Sequence, residues 1–292
     1  MTTHVRKGGC DEMFQRVLFP VDFSPSCIAM APYVKRVETI FRANVTLVHV
    51  CDLASNNGFE LYARRPDEIA EDHWNLARDK LKRFLDGDFP PSAGSRLLVA
   101  GDPGQAIISA AKNSKFDLIM MPTHAGYFRR LLLGSTTAKV LDGADCPVIT
   151  AQHAETVVPR SAEHRKWVCA VGLSSDSARV LSMAKSASLA AQAKLSVTHV
   201  MQENKREFVP GGPCEQEQIA RHRLADLQSK VGLDATTPVR IAIGPIKETL
   251  LHEVSKESAD VLVIGRSLQG TGRLGDLSYS LVRDSPCPVV SV

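Results

Sequence analysis

One block of sequence occurs twice in this chain, so whatever it folds into must be a unit that tolerates duplication. VLFPVDFS (17–24) is followed by NVTLVHV (44–50), and WVCAVGLS (167–174) is followed by KLSVTHV (194–200), both pairs at an offset of 150. Pro20 falls on Ala170, Val21 on Val171, Ser24 on Ser174, His49 on His199 and Val50 on Val200. Further on, FDLIMMP (116–122) matches ADVLVIG (259–265) at an offset of 143, and DCPVIT (145–150) matches PCPVVSV (286–292) at 141. The second copy has lost residues between its elements but kept their order. Such a period is too long for a solenoid repeat and has the length of a domain. The segment QHAETVVPRSAEHRK is polar, carries Pro159 and matches nothing in the repeat. This gives two domains, 14–151 and 166–292, joined by a linker over 152–165.

Each copy carries short apolar runs rich in β-branched residues: VLFPV, VTLVHV, RLLVA, LIMMP and CPVIT in the first. Runs of that length suit strands buried on both faces, and their alternation with longer helix-like stretches predicts an α/β fold with a parallel sheet. Ala29, Tyr33, Val34, Val37 and Phe41 recur at helical spacing. Asp67 is placed to cap a second helix reaching about residue 86, with Ile69, His73, Leu76, Ala77, Leu81, Phe84 and Leu85 on its apolar face. A third helix follows Pro103 and a fourth follows Gly134. Ligands of such sheets bind beyond the carboxyl ends of the strands, where strand order reverses.

Composition excludes several classes. With 35 Lys and Arg against 32 Asp and Glu, scattered among one another, the chain shows no basic face for nucleic acid. No apolar run approaches the roughly 18 residues of a membrane span, and the opening residues have no apolar signal core, so a cytoplasmic protein is expected. Seven cysteines form no CxxC pair; Cys51, Cys146, Cys169 and Cys287 lie in or beside strands and are expected to be buried free thiols. No His, Cys and carboxylate cluster has metal-ligand spacing, and no nucleophile elbow is present.

The candidate ligand groups follow the first and fourth strands. Pro20, Val21 and Asp22 end the first. Asp22 can accept from a ribose hydroxyl or help hold a metal on phosphates, or it can cap the first helix. Met121, Pro122, Thr123 and His124 end the fourth, and Gly134, Ser135 and Thr136 open the helix after it. Those three would offer backbone N–H groups to a phosphate, or Ser and Thr side-chain caps to the helix. His49 and His199 end equivalent strands as core or site-floor residues.

Read in order, PVDFS, TLVHV, LIMMPTH, RRLLLGSTTAKVL and DCPV resemble the universal stress protein family, and AVGLS, VTHV, VLVIGR, LGDLSYSLV and SPCPVVSV resemble it again. The resemblance implies two tandem doubly wound domains. Each would be a five-stranded parallel sheet, order 3-2-1-4-5, with helices on both faces. It also implies pairing of the two domains within the chain. One branch of the family binds ATP through Gly, two residues, Gly, nine residues, Gly, then Ser or Thr. The first copy has Pro122 and Ala125 at the first two glycines, eight intervening residues, then Gly134 and Ser135. Gly126 offers backbone freedom one residue late, Asp22 stands at the ribose position and Val50 near the adenine. The second copy keeps Gly265 but has Leu268, Gly172 in place of the Asp, and Asp276 in place of the Ser. A carboxylate there is expected to satisfy the helix amides and repel phosphate.

The reading is a non-catalytic stress or signalling module, with ATP and Mg2+ in the N-terminal domain only and a degenerate second site. A weak ATP-hydrolysing enzyme and a purely structural pairing module are the alternatives. The last strands, CPVIT and CPVVS, offer a pairing edge within the chain or in a homodimer.

Overall fold

The computed structural model describes residues 13–52, 66–91, 95–123, 133–151, 164–202, 212–266 and 275–292. The first half runs β1 (Arg16–Pro20), α1 (Pro25–Phe41), β2 (Asn44–Cys51), α2 (Pro66–Arg83), β3 (Ser95–Ala100), α3 (Pro103–Asn113), β4 (Leu118–Pro122), α4 (Ser135–Gly143) and β5 (Val148–Ala151). The second repeats it with β6 (Lys166–Ala170), α5 (Ser177–Ala190), β7 (Lys194–Met201), α6 (Gly212–Val231), β8 (Val239–Ile243), α7 (Ile246–Lys256), β9 (Val261–Ile264), α8 (Asp276–Asp284) and β10 (Val289–Ser291).

Strand order is β3-β2-β1-β4-β5 in one half and β8-β7-β6-β9-β10 in the other, the order 3-2-1-4-5 twice over. Within each half neighbouring strands are parallel. The halves meet through β5 and β10, which pair antiparallel, so the ten strands make one sheet. In that ladder Ile149 faces Val290, and these are equivalent residues of the repeat at the offset of 141. An approximate two-fold axis therefore passes between them, and the contact is self-complementary.

Two cores follow, one on each face of the sheet, and both draw on both halves. One gathers Phe19, Tyr33, Val34 and Leu47 with Trp167, Leu181 and Val197; the other gathers Leu18, Ile119, Val140 and Leu141 with Val168, Leu262 and Leu281. Each of these side chains is fully buried, worth roughly 1.5–3 kcal/mol apiece against exposure. Strands covered on both faces need no polar alternation, which is why they read as continuous apolar runs.

The seam between the halves also has side-chain ties. Arg266, just after β9, donates to the backbone oxygens of Ala144, Cys146 and Ser291. Burial pulls its guanidinium down to about 10, opposed chiefly by Cys146. Tyr279 Oη donates to Asp142 at 2.7 Å. His164 lies in the segment read as a polar linker, yet it is 1% exposed. Its ring stacks on Tyr33 at 5.2 Å and leans on Trp167 at 5.6 Å. Phe14, its counterpart 150 residues earlier, packs edge-on against Phe41, so the position is an aromatic plug in both halves.

Three details differ from the sequence reading. Leu76 is 68% exposed rather than on the inner face of α2, because buried Leu81 and half-buried His73 and Ala77 define a stripe from which Leu76 is rotated by about one residue's turn, roughly 100°. Asp67 lies inside α2 rather than before it, and the helix ends at Arg83, before Leu85 turns left-handed (φ 53°). Cys146 is half-buried; Cys27, Cys51, Cys146, Cys169 and Cys287 are all free.

His164 makes the stability pH-dependent. Burial is the main cause that lowers its pKa from the ordinary 6.5 to about 4, with Asp260 opposing and Arg36 assisting. Below 6.5 the unfolded chain binds a proton that the folded one refuses, so stability falls as pH drops from 6.5 towards 4. The loss should reach about 3 kcal/mol. Urea unfolding at stepped pH should show this slope, and His164→Phe, the residue type of position 14, should flatten it. An unchanged slope in that variant would assign the effect elsewhere.

Candidate functional site

Both halves turn sharply as β1 and β6 end, and the turn is built the same way. Val21 N–H donates to Val48 O at 2.8 Å and Val171 N–H to Thr198 O at 3.0 Å, which carries the chain past the strand end. Phe23 (φ 64°) and Leu173 (φ 56°) are then left-handed. A bulky residue there costs about 1 kcal/mol or more, a strain held by surrounding packing at the lip of a cleft. In the first half Ser24 caps α1, its hydroxyl accepting from Cys27 N–H, with Pro25 opening the helix. Asp22 is thereby freed from the capping role. Its Oδ1 accepts from Ser24 N–H at 2.9 Å and from the Cys27 thiol at 3.1 Å. Burial pushes the Asp22 carboxyl up, but the hydrogen bonds from Ser24 and Cys27 outweigh it and hold it below the usual carboxylate range.

The turn opens onto a cleft of about 250 Å3 between the carboxyl ends of β1, β2 and β4 and the starts of α3 and α4. Pro20, Val21, Asp22, Val50, Met121, Pro122, Gly134, Ser135 and Thr136 all line it. Thr123 stands behind that wall, 1% exposed, its backbone oxygen accepting from Gly134 N–H at 3.1 Å and its hydroxyl donating to Ala151 O. His124 and Gly126 lie outside the described residues, as do Arg129, Arg130, the excursion after β2 over 53–65 and its counterpart over 203–211. Cys27, Val48, Pro103, Ile107 and Thr137 complete the lining without having been singled out; Pro103 and Ile107 arrive from α3, whose proximity only the fold creates.

The start of α4 is chemically open. Gly134 is its N-cap, no side chain caps it, and Ser135 and Thr136 are its first helical residues rather than its caps. Thr137 instead donates its hydroxyl to Pro122 O at 3.2 Å, tying the helix to the end of β4. The first-turn N–H groups and the positive end of the helix dipole therefore face the cleft, an arrangement suited to an anion. Asp22 stands at the β1 side, so the cleft has an acceptor end and a donor end.

His49 forms part of the floor. Its Nδ1 meets Val21 O at 2.8 Å; a carbonyl only accepts, so Nδ1 carries the proton and Nε2 is the acceptor of the neutral ring. Burial lowers its pKa, with the bond to Val21 and the charge of Asp22 opposing and Lys80 assisting. Phe23 leans on this ring at 4.2 Å, and Lys80 Nζ sits 4.5 Å above Phe23.

The second half has a corresponding cleft of about 230 Å3, lined by Val171, Gly172, Thr198, His199, Val200, Ile246, Leu250, Ile264, Gly275 and Asp276 among others. His199 repeats the bond of His49, to Val171 O at 2.8 Å. Asp276 was expected to cap α8; it is instead the first helical residue after the N-cap Gly275, and no side chain makes a capping bond there. Asp276 is exposed and lines the cleft. Leu268 and the rest of 267–274 lie outside the described residues.

Cys27 should be a poor nucleophile despite lining the first cleft. Burial, reinforced by the Asp22 charge, pushes its thiol up to about 12. At near-neutral pH, iodoacetamide followed by mass spectrometry should leave Cys27 unmodified in the folded protein, and Asp22→Asn should speed its alkylation. Labelling as fast as a free thiol would contradict the geometry.

Comparison with known proteins gives one consistent answer. A sequence model described as the universal stress protein family matches residues 13–152 and again 163–292. A universal stress protein of Methanocaldococcus jannaschii is 24% identical over 158 residues, which are 48% of this chain and 96% of that protein. One from Thermus aquaticus is 30% identical over 148 residues, 47% of this chain and 98% of that protein. Among solved structures, a universal stress protein from Archaeoglobus fulgidus has a TM-score of 0.66 at 21% identity, covering 96% of this chain and 97% of its own. The likeness to that structure concerns the fold alone, and it runs through both halves.

Proposed function

The chain belongs to the universal stress protein family, and from that premise we propose that it is a non-catalytic stress-response or signalling module whose first cleft binds an adenine nucleotide, ATP. The observation that carries this is the meeting, in one cleft, of the ionised Asp22 at the β1 end and the uncapped start of α4 at the other. Asp22 would accept from ribose hydroxyls, Val50 would flank the base, and the amides of Ser135 and Thr136 would take phosphate. At about 250 Å3 the cleft lies just below the usual ligand-pocket range of about 300–1,000 Å3. The nucleoside would fill it and the phosphates would lie at its mouth.

Among the described residues no group of three or more His, Cys, Asp or Glu is arranged to hold a metal. A Mg2+ would therefore be held chiefly by the phosphates, where it would neutralise their charge. The two domains are proposed as 14–151 and 166–292 with a linker over 152–165, paired within the chain so that a ligand in one cleft bears on the shared sheet. Among the described residues no helix is long and apolar enough to cross a membrane. The five free described thiols fit a reducing compartment, the cytoplasm.

Titration calorimetry with ATP and magnesium tests the reading. The unaltered protein should bind with unit stoichiometry, Asp22→Ala should weaken binding about tenfold through loss of a charged hydrogen-bond acceptor, and Ser135→Ala should weaken it less because the backbone amide remains. No heat with the unaltered protein would leave the structural pairing module; phosphate release with turnover would favour an ATP-hydrolysing enzyme.

A further inference from the structure

Cys27 lines the first cleft beside Asp22. Its Sγ lies 3.1 Å from Asp22 Oδ1 and 3.9 Å from Pro20 O, so the single thiol proton goes to the nearer, charged acceptor. Burial, reinforced by the Asp22 charge, pushes the thiol up to about 12, which keeps that proton in place at ordinary pH. The same Oδ1 accepts from Ser24 N–H at 2.9 Å. One donor thus comes from the turn after β1 and the other from the first turn of α1. The last torsion of an aspartate is soft and roughly two-fold, and two donors converging on one oxygen from different elements remove that freedom.

The second half keeps the donor without the acceptor. Ser177 stands at the place of Cys27 and Gly172 at the place of Asp22, both at the offset of 150. The backbone around them is shared: Cys27 N–H donates to Ser24 O and Ser177 N–H to Ser174 O, each at 3.1 Å. Ser177 is 4% exposed and its hydroxyl has no hydrogen-bond partner. Buried polar groups are paired as a rule, so an orphan calls for an explanation. Here the missing partner is the carboxylate that Gly172 cannot supply. The helix donor is satisfied where the Asp is present and stranded where it is gone.

We propose that Cys27 is a positioning residue of the first cleft: its thiol proton holds the Asp22 carboxylate in one orientation, ready to accept from the hydroxyls of a ligand. It acts through Asp22 and need not touch the ligand itself. That the hydroxyls are those of a ribose rests on the nucleotide reading; the bond between Cys27 and Asp22 does not. Among the described residues, His49 on β2 is the other titratable side chain that feels the Asp22 charge. Lys80 lies beyond the Phe23 ring, and α3, β4 and α4 bring no ionisable side chain to the lining.

Two variants of the full chain separate the donor from its bulk. Cys27→Ala removes the thiol proton, and Cys27→Ser restores a donor that the helix accommodates, since Ser177 occupies the equivalent place. In the ligand-free protein, carboxyl-carbon NMR of Asp22 reads the bond directly. Burial raises the Asp22 pKa and the bonds from Ser24 and then Cys27 lower it, so Cys27→Ala should move it up and Cys27→Ser should return it. Calorimetry reads the consequence. Cys27→Ala should weaken ATP binding about fivefold, and Cys27→Ser should recover most of the loss. In the Asp22→Ala protein the same Cys27→Ala change should alter affinity by less than about twofold, because the group it acts through is gone. With 2′,3′-dideoxy-ATP, which has no ribose hydroxyl for Asp22 to accept, Cys27→Ala should again matter by less than about twofold, whereas a general loosening of the cleft would weaken both ligands alike. Should ATP not bind at all, the nucleotide reading falls and the NMR titration alone decides this proposal. The proposal is overturned if Asp22 titrates alike in the unaltered and Cys27→Ala proteins, if the Ala and Ser variants lose equal affinity, or if the loss persists in the Asp22→Ala protein or with the dideoxy ligand.

Discussion

Backbone hydrogen bonds between β5 and β10 decide where everything else in this protein lies. They join two parallel five-stranded sheets by an antiparallel ladder centred on Ile149 and Val290. Exposed strand edges invite pairing with other chains, and here the β5 and β10 edges cover one another. Because the facing residues are equivalent in the repeat, the contact needs no new surface on either half; a duplicated domain with a self-complementary edge closes on itself. Continuity of the sheet then makes both cores continuous, so Trp167 and Tyr33 are packed in one cluster although they come from different copies.

Duplication with a shared core leaves the clefts as the regions freest to diverge. Residues that build the turn after β1 and β6, the left-handed Phe23 and Leu173 and the histidines bonded to Val21 O and Val171 O, are retained as structure. Several residues that line the clefts are not. Asp22 against Gly172, Ser135 against Asp276 and Val48 against Thr198 change charge and hydrogen-bonding capacity without changing the backbone path. Asymmetry appears at the seam as well. Arg266 occupies the place of Thr123, and where Thr123 bonds only within its own half, Arg266 reaches across to the carbonyls of Ala144 and Cys146. Its loss would affect the union of the halves more than either cleft.

Much of this is legible along the chain. The β-branched runs marked the central strands because both faces of each are covered, and Pro103 marked a helix start because proline lacks the N–H that a first turn leaves unpaired. Nine of the proposed site residues line one cleft because they end strands or start a helix, positions readable along the chain. Less legible were groups brought in sideways. Ile107 and Pro103 enter the first cleft from α3, Leu76 faces solvent because the helix phase differs by one position, and His164 sits in a polar stretch yet is buried against an aromatic ring from the other half. None of these has a local signal.

The sequence by itself determined the duplication, the strand and helix alternation, the family and the replacement of Asp22 and Ser135 by Gly172 and Asp276, since each is a matter of residue identity at a spacing. Only the tertiary structure decided that Ser24 rather than Asp22 caps α1, that Ser135 and Asp276 are first helical residues rather than caps, and that the Thr198 hydroxyl is stranded in a cleft wall. A hydrogen bond depends on which donor and acceptor arrive within about 3 Å of one another. That is settled by packing among distant segments, to which the order of residues along the chain is a poor guide.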